Sequence, residues 1–362
     1  MAKATAESFG EWPLKRLMTE VVGSGHKSAD DMDREQAREA FQRILADEPD
    51  HTTLGAFWLA NRWKRNTPEE LAAFVDVMRE ESVVTAEPDA DPVDCGANYD
   101  GKHSSAILGV GAGLVAAAAG TPVVTHSGDR VPTQKLDAYK HVLDELGVRT
   151  DLEPQESADM VDDVGFGFYY QPNFNPGIHA LHDRRDNMGV RTFVNTMETL
   201  ANPANADVHL GSFYHLPFAK RMIRTFVQSE QQSLDRAIFF QGMEGYDDIR
   251  PGSTVVAEWP SDDPDADEEG IVDYEIQTGD YGMDFDGDAL AVDDVAADSA
   301  TITEEVLTDQ RHDHFADAIA LNAAVRIYAR EDADSLDDGL EAAREAIAAG
   351  DAAAVLEDLQ AF

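Results

Sequence analysis

Polar side chains with possible chemistry follow four apolar segments of the chain. The turn-rich loop 95–102 precedes a small-residue segment, and the polar loop 126–132 leaves the apolar run 122–126. Two arginines, Arg184 and Arg185, lie between Asp183 and Asp186, and the pair Asp247 and Asp248 follows the apolar run 236–241. Loops at the carboxyl ends of parallel strands form the ligand-binding edge of open α/β sheets, so these segments are the candidate site.

Each candidate allows a functional and a structural interpretation. Loop 95–102 could offer backbone N–H groups to a phosphate, or Gly96 and Gly101 could simply serve tight turns. Arginine forks can grip a carboxylate, although Arg185 could equally pair with Asp183 or Asp186. Two neighbouring carboxylates suit Mg²⁺, yet an Asp-Asp pair is also a frequent accident among 71 acidic residues. His312-Asp313-His314 is interpreted as a helix start and not as a metal site.

Composition limits the function classes. The 71 Asp and Glu exceed the 28 Lys and Arg (8 Lys and 20 Arg) by 43 charges, which disfavours nucleic acid and anionic membranes as partners. Carboxylate excess with few lysines is typical of proteins that work in concentrated salt. We find no apolar run of membrane-spanning length and no signal core at the N-terminus, so we expect a cytoplasmic protein.

The elements that position these residues divide into two regions. Residues 1–88 are predicted to be helical, with a capping box at Thr67-Pro68-Glu69-Glu70. Residues 93–362 alternate strands and helices, including a predicted helix over 104–119. This alternation indicates an α/β fold: a small all-helical N-terminal domain, completed by part of 190–206, beside a large domain whose mainly parallel central sheet is flanked by helices.

These segments, taken in order, resemble the anthranilate phosphoribosyltransferase family over nearly the whole chain. The resemblance is carried by the opening helices with Thr67-Pro68-Glu69-Glu70 and by residues 116–126. It continues through Arg185, Gly189–Thr192, Asn195 and Asn202–Ala204, and through the C-terminal segments 318–324, 334–339 and 346–350.

The resemblance implies phosphoribosyl transfer from phosphoribosyl diphosphate to an aromatic amine, with Mg²⁺ as cofactor and a homodimer formed through the helical domain. It implies that Asp247 and Asp248 bind the metal, and that Arg185 holds the acceptor carboxylate. Six further residues are predicted to bind substrate: Gly96, Asp100, Gly101, His126, Arg130 and Lys135.

Departures from the family pattern keep a second hypothesis open. The loop has Ala97, Asn98 and Tyr99 where the family is richer in glycine, and apolar 107–110 where the family has Asn-x-Ser-Thr. The alternative is a non-catalytic paralogue that binds a nucleotide, nucleic acid or protein through the same cleft.

Overall fold

A computed structural model describes residues 9–23, 25, 27–261 and 263–362 of the chain. The N-terminal segment 1–8, on which the prediction of no export signal partly rests, lies outside the described residues. The first region contains four helices, α1 (Leu14–Glu20), α2 (Arg34–Leu45), α3 (His51–Lys64) and α4 (Pro68–Glu81). The predicted capping box of α4 is present: Thr67 accepts from the Glu70 N–H, and the Glu70 carboxylate accepts from the Thr67 N–H.

The second region is built on a seven-stranded sheet of order β3-β2-β1-β4-β5-β6-β7. The parallel strands are β1 (Val93–Gly96), β2 (Val123–Ser127), β3 (Phe166–Tyr170), β4 (Val208–Phe213) and β5 (Arg236–Gln241). The strands β6 (Ser253–Trp259) and β7 (Val272–Gln277) add antiparallel to that edge. The prediction of a mainly parallel sheet is confirmed.

Helices cover both faces of the sheet, as predicted. The connections up to β5 carry the following helices: α5 (Gly109–Ala118), α6 (Tyr139–Glu145), α7 (Pro154–Val164), α8 (Gln171–Phe174), α9 (Pro176–His179), α10 (His182–Met188), α11 (Val194–Met197) and α12 (Leu216–Val227). The chain closes with α13 (Val295–Leu307), α14 (His314–Ala329), α15 (Leu336–Ala349) and α16 (Asp351–Ala361). Among the described residues, no helix is long and apolar enough to cross a membrane.

Alternating side chains of the strands divide the interior into two cores. In β5, Ile238 and Phe240 pack under α5 and the C-terminal helices, whereas Ala237 and Phe239 face the core shared with α1–α4 and α12. The helical region thus packs against one sheet face near the strand ends, which creates a cleft between the two.

The helix predicted over 104–119 begins only at Gly109. A side chain from the loop after β5 competes with helix formation for the backbone of residues 103–105. The Glu244 carboxylate accepts hydrogen bonds from the N–H groups of His103, Ser104 and Ser105. These N–H groups therefore bind a carboxylate instead of starting a helix.

Candidate active site

A cleft of about 610 Å³ lies between the carboxyl end of α3 and the carboxyl ends of β1 and β4. Its volume falls in the range of small-molecule sites, and its position is the ligand-binding edge of an α/β sheet. The residues that line it are Arg62, Arg65, Gly96, Asn98, Asp100, Arg191, Thr192, Asn195, Thr196, Thr199, Ser212, Phe213, Tyr214, His215, Phe218, Met222, Phe239 and Gly245.

Three arginines make the mouth of the cleft cationic. Arg62 and Arg65 come from the end of α3, and Arg191 follows α10. Within the described residues, Arg62 and Arg65 have no carboxylate within 4.0 Å, while the Arg191 Nε lies 2.8 Å from an Asp100 oxygen. Arg65 has a positive φ of 65°, a backbone conformation that costs energy for any side chain and is concentrated at functional sites. Its guanidinium is thus available to an anionic ligand.

Asp100 is the carboxylate of this cleft. It is 3% exposed, and it is held by Arg191 and by the Asn195 amide, whose Nδ2 donates over 3.3 Å. Burial raises the pKa of Asp100 to about 6, while Arg191 opposes that rise. A carboxylate with this pKa is ionised at neutral pH and can still accept a proton from a reacting group.

The floor of the cleft is apolar. It is lined by Phe213 at the end of β4, by Phe239 of β5, and by Phe218 and Met222 of α12. Gly96 closes the floor beside them: a Cβ there would lie 2.3 Å from the Thr199 carbonyl oxygen and 2.5 Å from the His209 ring. The cleft therefore combines a surface for a flat apolar ring with cations for an anion.

Of the predicted substrate-binding residues, Gly96 and Asp100 line this cleft. Gly101 does not; it forms a turn with φ of 81° against the backbone of Asp137. Arg130 pairs with Asp137 at 2.5 Å and Lys135 with Asp186 at 2.8 Å, both on the exposed surface outside the cleft lining.

His126 lies fully buried at the carboxyl end of β2. Its Nδ1 meets the Tyr99 hydroxyl, and its Nε2 lies 3.1 Å from Asp94, which also binds His209 Nδ1 at 2.7 Å. Both ring nitrogens are therefore engaged inside the protein. Contact between His126 and substrate stays a prediction, which these internal contacts do not favour.

Arg185 is also removed from the cleft, because its fork is occupied. The guanidinium is 2% exposed and bidentate to Glu198, at 2.6 Å and 2.8 Å. Arg185 pairs with neither Asp183 nor Asp186, so that structural interpretation is wrong. Its role in holding an acceptor carboxylate stays a prediction, and both of its Nη groups are bound to Glu198. Arg184 pairs with Asp47 of the helical region.

Asp247 and Asp248 do not fit the predicted magnesium site. Both are fully buried, and each already has a cation: Arg326 Nη2 lies 2.8 Å from Asp247, and Lys102 Nζ lies 2.5 Å from Asp248. Magnesium binds with several retained waters, which a fully buried pair cannot admit. One oxygen of each carboxylate is unpaired, yet the described residues hold no group of three or more His, Cys, Asp or Glu able to bind a metal.

Among the residues that line the cleft, sequence reasoning did not single out Arg62, Arg65, Tyr214 and His215. The cluster Arg62-Trp63-Lys64-Arg65 is a cationic run in a chain that has only 28 basic residues, and that rarity was the available signal. His312-Asp313-His314 is a helix start, as predicted, with Asp313 accepting from the Phe315 N–H at 3.0 Å.

Comparisons with known proteins agree with this fold. The chain matches the model of the glycosyl transferase family, a/b domain, over residues 95–353, and that of its helical bundle domain over residues 21–82. The fold and the cleft between the two regions thus define a glycosyltransferase of the pentosyltransferase class.

Curated relatives narrow the family. The chain is 31% identical over 337 residues to the anthranilate phosphoribosyltransferase of Natronomonas pharaonis, covering 92% of this chain and 96% of that one. It is 31% identical over 335 residues to the enzyme of the same name from Methanocorpusculum labreanum, covering 92% and 94%. The chain belongs to the anthranilate phosphoribosyltransferase family.

Two solved structures give the same result for the fold. Anthranilate phosphoribosyltransferase from Thermus thermophilus superposes with a TM-score of 0.78 at 26% identity, covering 92% of this chain and 96% of that one. The Saccharomyces cerevisiae enzyme in complex with PRPP and Mg superposes with a TM-score of 0.76 over 91% and 93%, and its 19% identity supports the fold alone.

Proposed function

We propose that this protein transfers a phosphoribosyl group from phosphoribosyl diphosphate to an aromatic amine, either anthranilate or a related acceptor, in the arginine-lined cleft. The observation that carries the proposal is the composition of that cleft, in which three guanidinium groups face an apolar floor. A pathway that consumes anthranilate, such as tryptophan biosynthesis, is the corresponding expectation from the family.

Arg62, Arg65 and Arg191 suit the donor because phosphoryl oxygens accept the parallel N–H donors of guanidinium groups. Asp100 is the one carboxylate among the described residues that line the cleft, so these residues carry a net positive charge in a protein whose formal net charge is −43. A local cationic site in an acidic protein concentrates a polyanionic ligand at that place.

The apolar floor suits the aromatic acceptor, and Asp100 suits its amine. In the proposed reaction the amine nitrogen forms a bond to the anomeric carbon, the bond from that carbon to the diphosphate oxygen breaks, and diphosphate leaves. The amine proton passes to the Asp100 carboxylate. No step runs through magnesium, because the aspartates predicted to hold it are paired with Lys102 and Arg326.

One observation favours the alternative of a non-catalytic binding protein. The N–H groups of loop 103–105, which could have met a phosphate, are bound by Glu244. A ligand would then be held by the arginines alone, and transfer would not follow binding. The cleft is the same in both proposals, so release of diphosphate separates them.

The test is an assay of diphosphate release with phosphoribosyl diphosphate and anthranilate, together with calorimetric binding of the donor. We expect Arg65→Ser to weaken donor binding by about tenfold, since a charge-assisted hydrogen bond contributes roughly 1.5–3 kcal/mol. Arg344→Ser is the matched control, because Arg344 is a half-exposed arginine on α15 whose one carboxylate partner in the described part of the chain is the surface residue Asp317.

Donor binding without release for any aromatic amine would leave the non-catalytic function. Equal donor affinity in wild type and Arg65→Ser would remove the cleft as the binding site.

A further inference from the structure

We propose that Lys102 and Arg326 replace the divalent metal ion at the aspartate pair of this protein, so that phosphoribosyl diphosphate binds in the arginine-lined cleft without magnesium. The inference rests on the proposed function for the identity of the ligand. It concerns a group of four side chains, Asp247, Asp248, Lys102 and Arg326, which we call the carboxylate–cation cluster.

The cluster is fully buried and its charges cancel. Lys102 Nζ lies 2.5 Å from Asp248 and 2.6 Å from the Ala106 carbonyl oxygen. Arg326 Nη2 lies 2.8 Å from Asp247, which also accepts from the Tyr139 hydroxyl. Each of these four charged side chains has a relative exposure of 0%. One ammonium and one guanidinium group thus provide the charge neutralisation that a divalent ion would supply.

The loop after β1 is also bound by a third carboxylate from the loop after β5. Glu244 accepts from the N–H groups of His103 at 2.7 Å and Ser105 at 2.9 Å, and from the Ser105 hydroxyl at 2.7 Å. Its own backbone has a positive φ of 52°. In the loop after β1, Lys102 is therefore bound to Asp248 and the backbone N–H donors are bound to Glu244, both from the loop after β5. These groups are not available to a diphosphate.

A metal ion would have to displace this arrangement. A divalent ion beside Asp248 would lie next to the Lys102 ammonium group, and like charges that close repel strongly in a buried site. Removal of Lys102 from its partner would leave a buried unpaired charge, which costs several kcal/mol. The unpaired oxygens of Asp247 and Asp248 are too few and too buried to offset that cost.

The negative charge of the donor must then be met elsewhere. Arg62, Arg65 and Arg191 line the cleft and are the cations in contact with its space. Guanidinium groups bind phosphoryl oxygens through parallel N–H donors, so donor affinity should depend on these arginines and not on a metal.

The first experiment uses wild-type protein. Binding of phosphoribosyl diphosphate is measured by calorimetry in EDTA and in excess Mg²⁺ at equal ionic strength. We expect the two dissociation constants to agree within about threefold. A larger loss of affinity in EDTA would overturn this inference alone, because the donor would still bind with magnesium. Absence of binding in both conditions would overturn the proposed function and this inference with it.

The second experiment removes the charges of the Lys102–Asp248 pair and keeps the volume of its side chains similar. In the double variant Lys102→Met with Asp248→Asn, both buried charges are absent and the side chains keep similar sizes. We expect a cooperative melt and donor affinity within about threefold of wild type. Loss of donor binding by a folded double variant would show that Asp248 takes part in binding. If the double variant does not fold, the comparison of wild-type donor affinity in EDTA and in Mg²⁺ tests the inference.

Discussion

At the scale of single residues, the choice of partner decides whether a charged side chain is structural or functional. Arg65 lines the cleft and has no carboxylate within 4.0 Å among the described residues, whereas Arg185 lies outside the cleft lining and is bidentate to buried Glu198. Removal of the first should therefore affect stability, and removal of the second should affect binding.

We expect Arg185→Ala to lower the free energy of unfolding by about 3–5 kcal/mol, because it leaves Glu198 buried without its cation. Denaturant unfolding measures the loss. The double variant Arg185→Ala with Glu198→Ala is the control, since it removes the stranded charge and should recover part of the stability. Unchanged stability with a raised KM for anthranilate would instead mean that Arg185 binds the acceptor carboxylate.

Asp100 should make the reaction depend on pH. Burial raises its pKa to about 6, and only the ionised carboxylate accepts a proton from the amine. We expect kcat/KM to fall with decreasing pH below about 6, by up to tenfold per pH unit, and we expect Asp100→Asn to lose most of the activity together with this dependence.

Acid unfolding through Asp100 would not explain that fall. Its pKa is raised in the folded protein, so its protonation favours the folded state as pH decreases through about 6. Circular dichroism at pH 5 is the control. An activity that stays constant from pH 7 to pH 5 would exclude Asp100 as the base.

At the scale of elements, the carboxyl end of α3 serves the cleft while another face of α3 is exposed. Leu59 and Trp63 are 41% and 76% exposed and are spaced four residues apart on this helix, so they lie on one face. Beside them is a groove lined by Met18 and Val22. An apolar patch of this kind on a surface helix is typical of a protein interface.

We expect this face of α3 to form the homodimer interface implied by the family resemblance. Trp63→Glu should shift the protein toward monomer in sedimentation velocity. The variant should still melt cooperatively, because Trp63 is exposed and its replacement leaves the core intact. Val227→Glu is the control, because Val227 is the last residue of α12 and is 46% exposed. This prediction would be wrong if the wild-type protein sediments as a monomer, or if the Trp63→Glu variant remains a dimer.

At the scale of the whole molecule, the formal net charge of −43 sets the response to salt. Most basic side chains are already paired, as in the buried pairs of Arg185 and Arg326, so the remaining carboxylates repel one another at the surface. Screening shortens that repulsion to about 3 Å at 1 M salt.

We expect the melting temperature to rise by several degrees between about 0.1 M and 1 M KCl, because self-repulsion is screened. Calorimetry measures the shift, and a non-ionic osmolyte at equal osmolality is the control. A fall in the melting temperature with KCl would mean that loss of surface ion pairs outweighs the screened repulsion.

The sequence by itself determined the fold class and the family. Hydrophobic periodicity and helix capping depend on residues close together in the chain. The Thr67 capping box and the apolar segment 236–241, which forms β5, could therefore be interpreted without knowledge of tertiary contacts. Family patterns also extend along the chain, which is why segments as distant as 67–70 and 346–350 could be matched in order.

Only the tertiary structure decided which side chains form the site. Asp248 and Lys102 are 146 positions apart, and Arg326 is a further 78 positions beyond Asp248, yet they meet in one buried cluster. The partner of a charge is selected by packing across the sheet, and burial makes that choice energetically large. For the same reason the arginines of the cleft could not be distinguished from surface arginines before the helical region was placed against the ends of the strands.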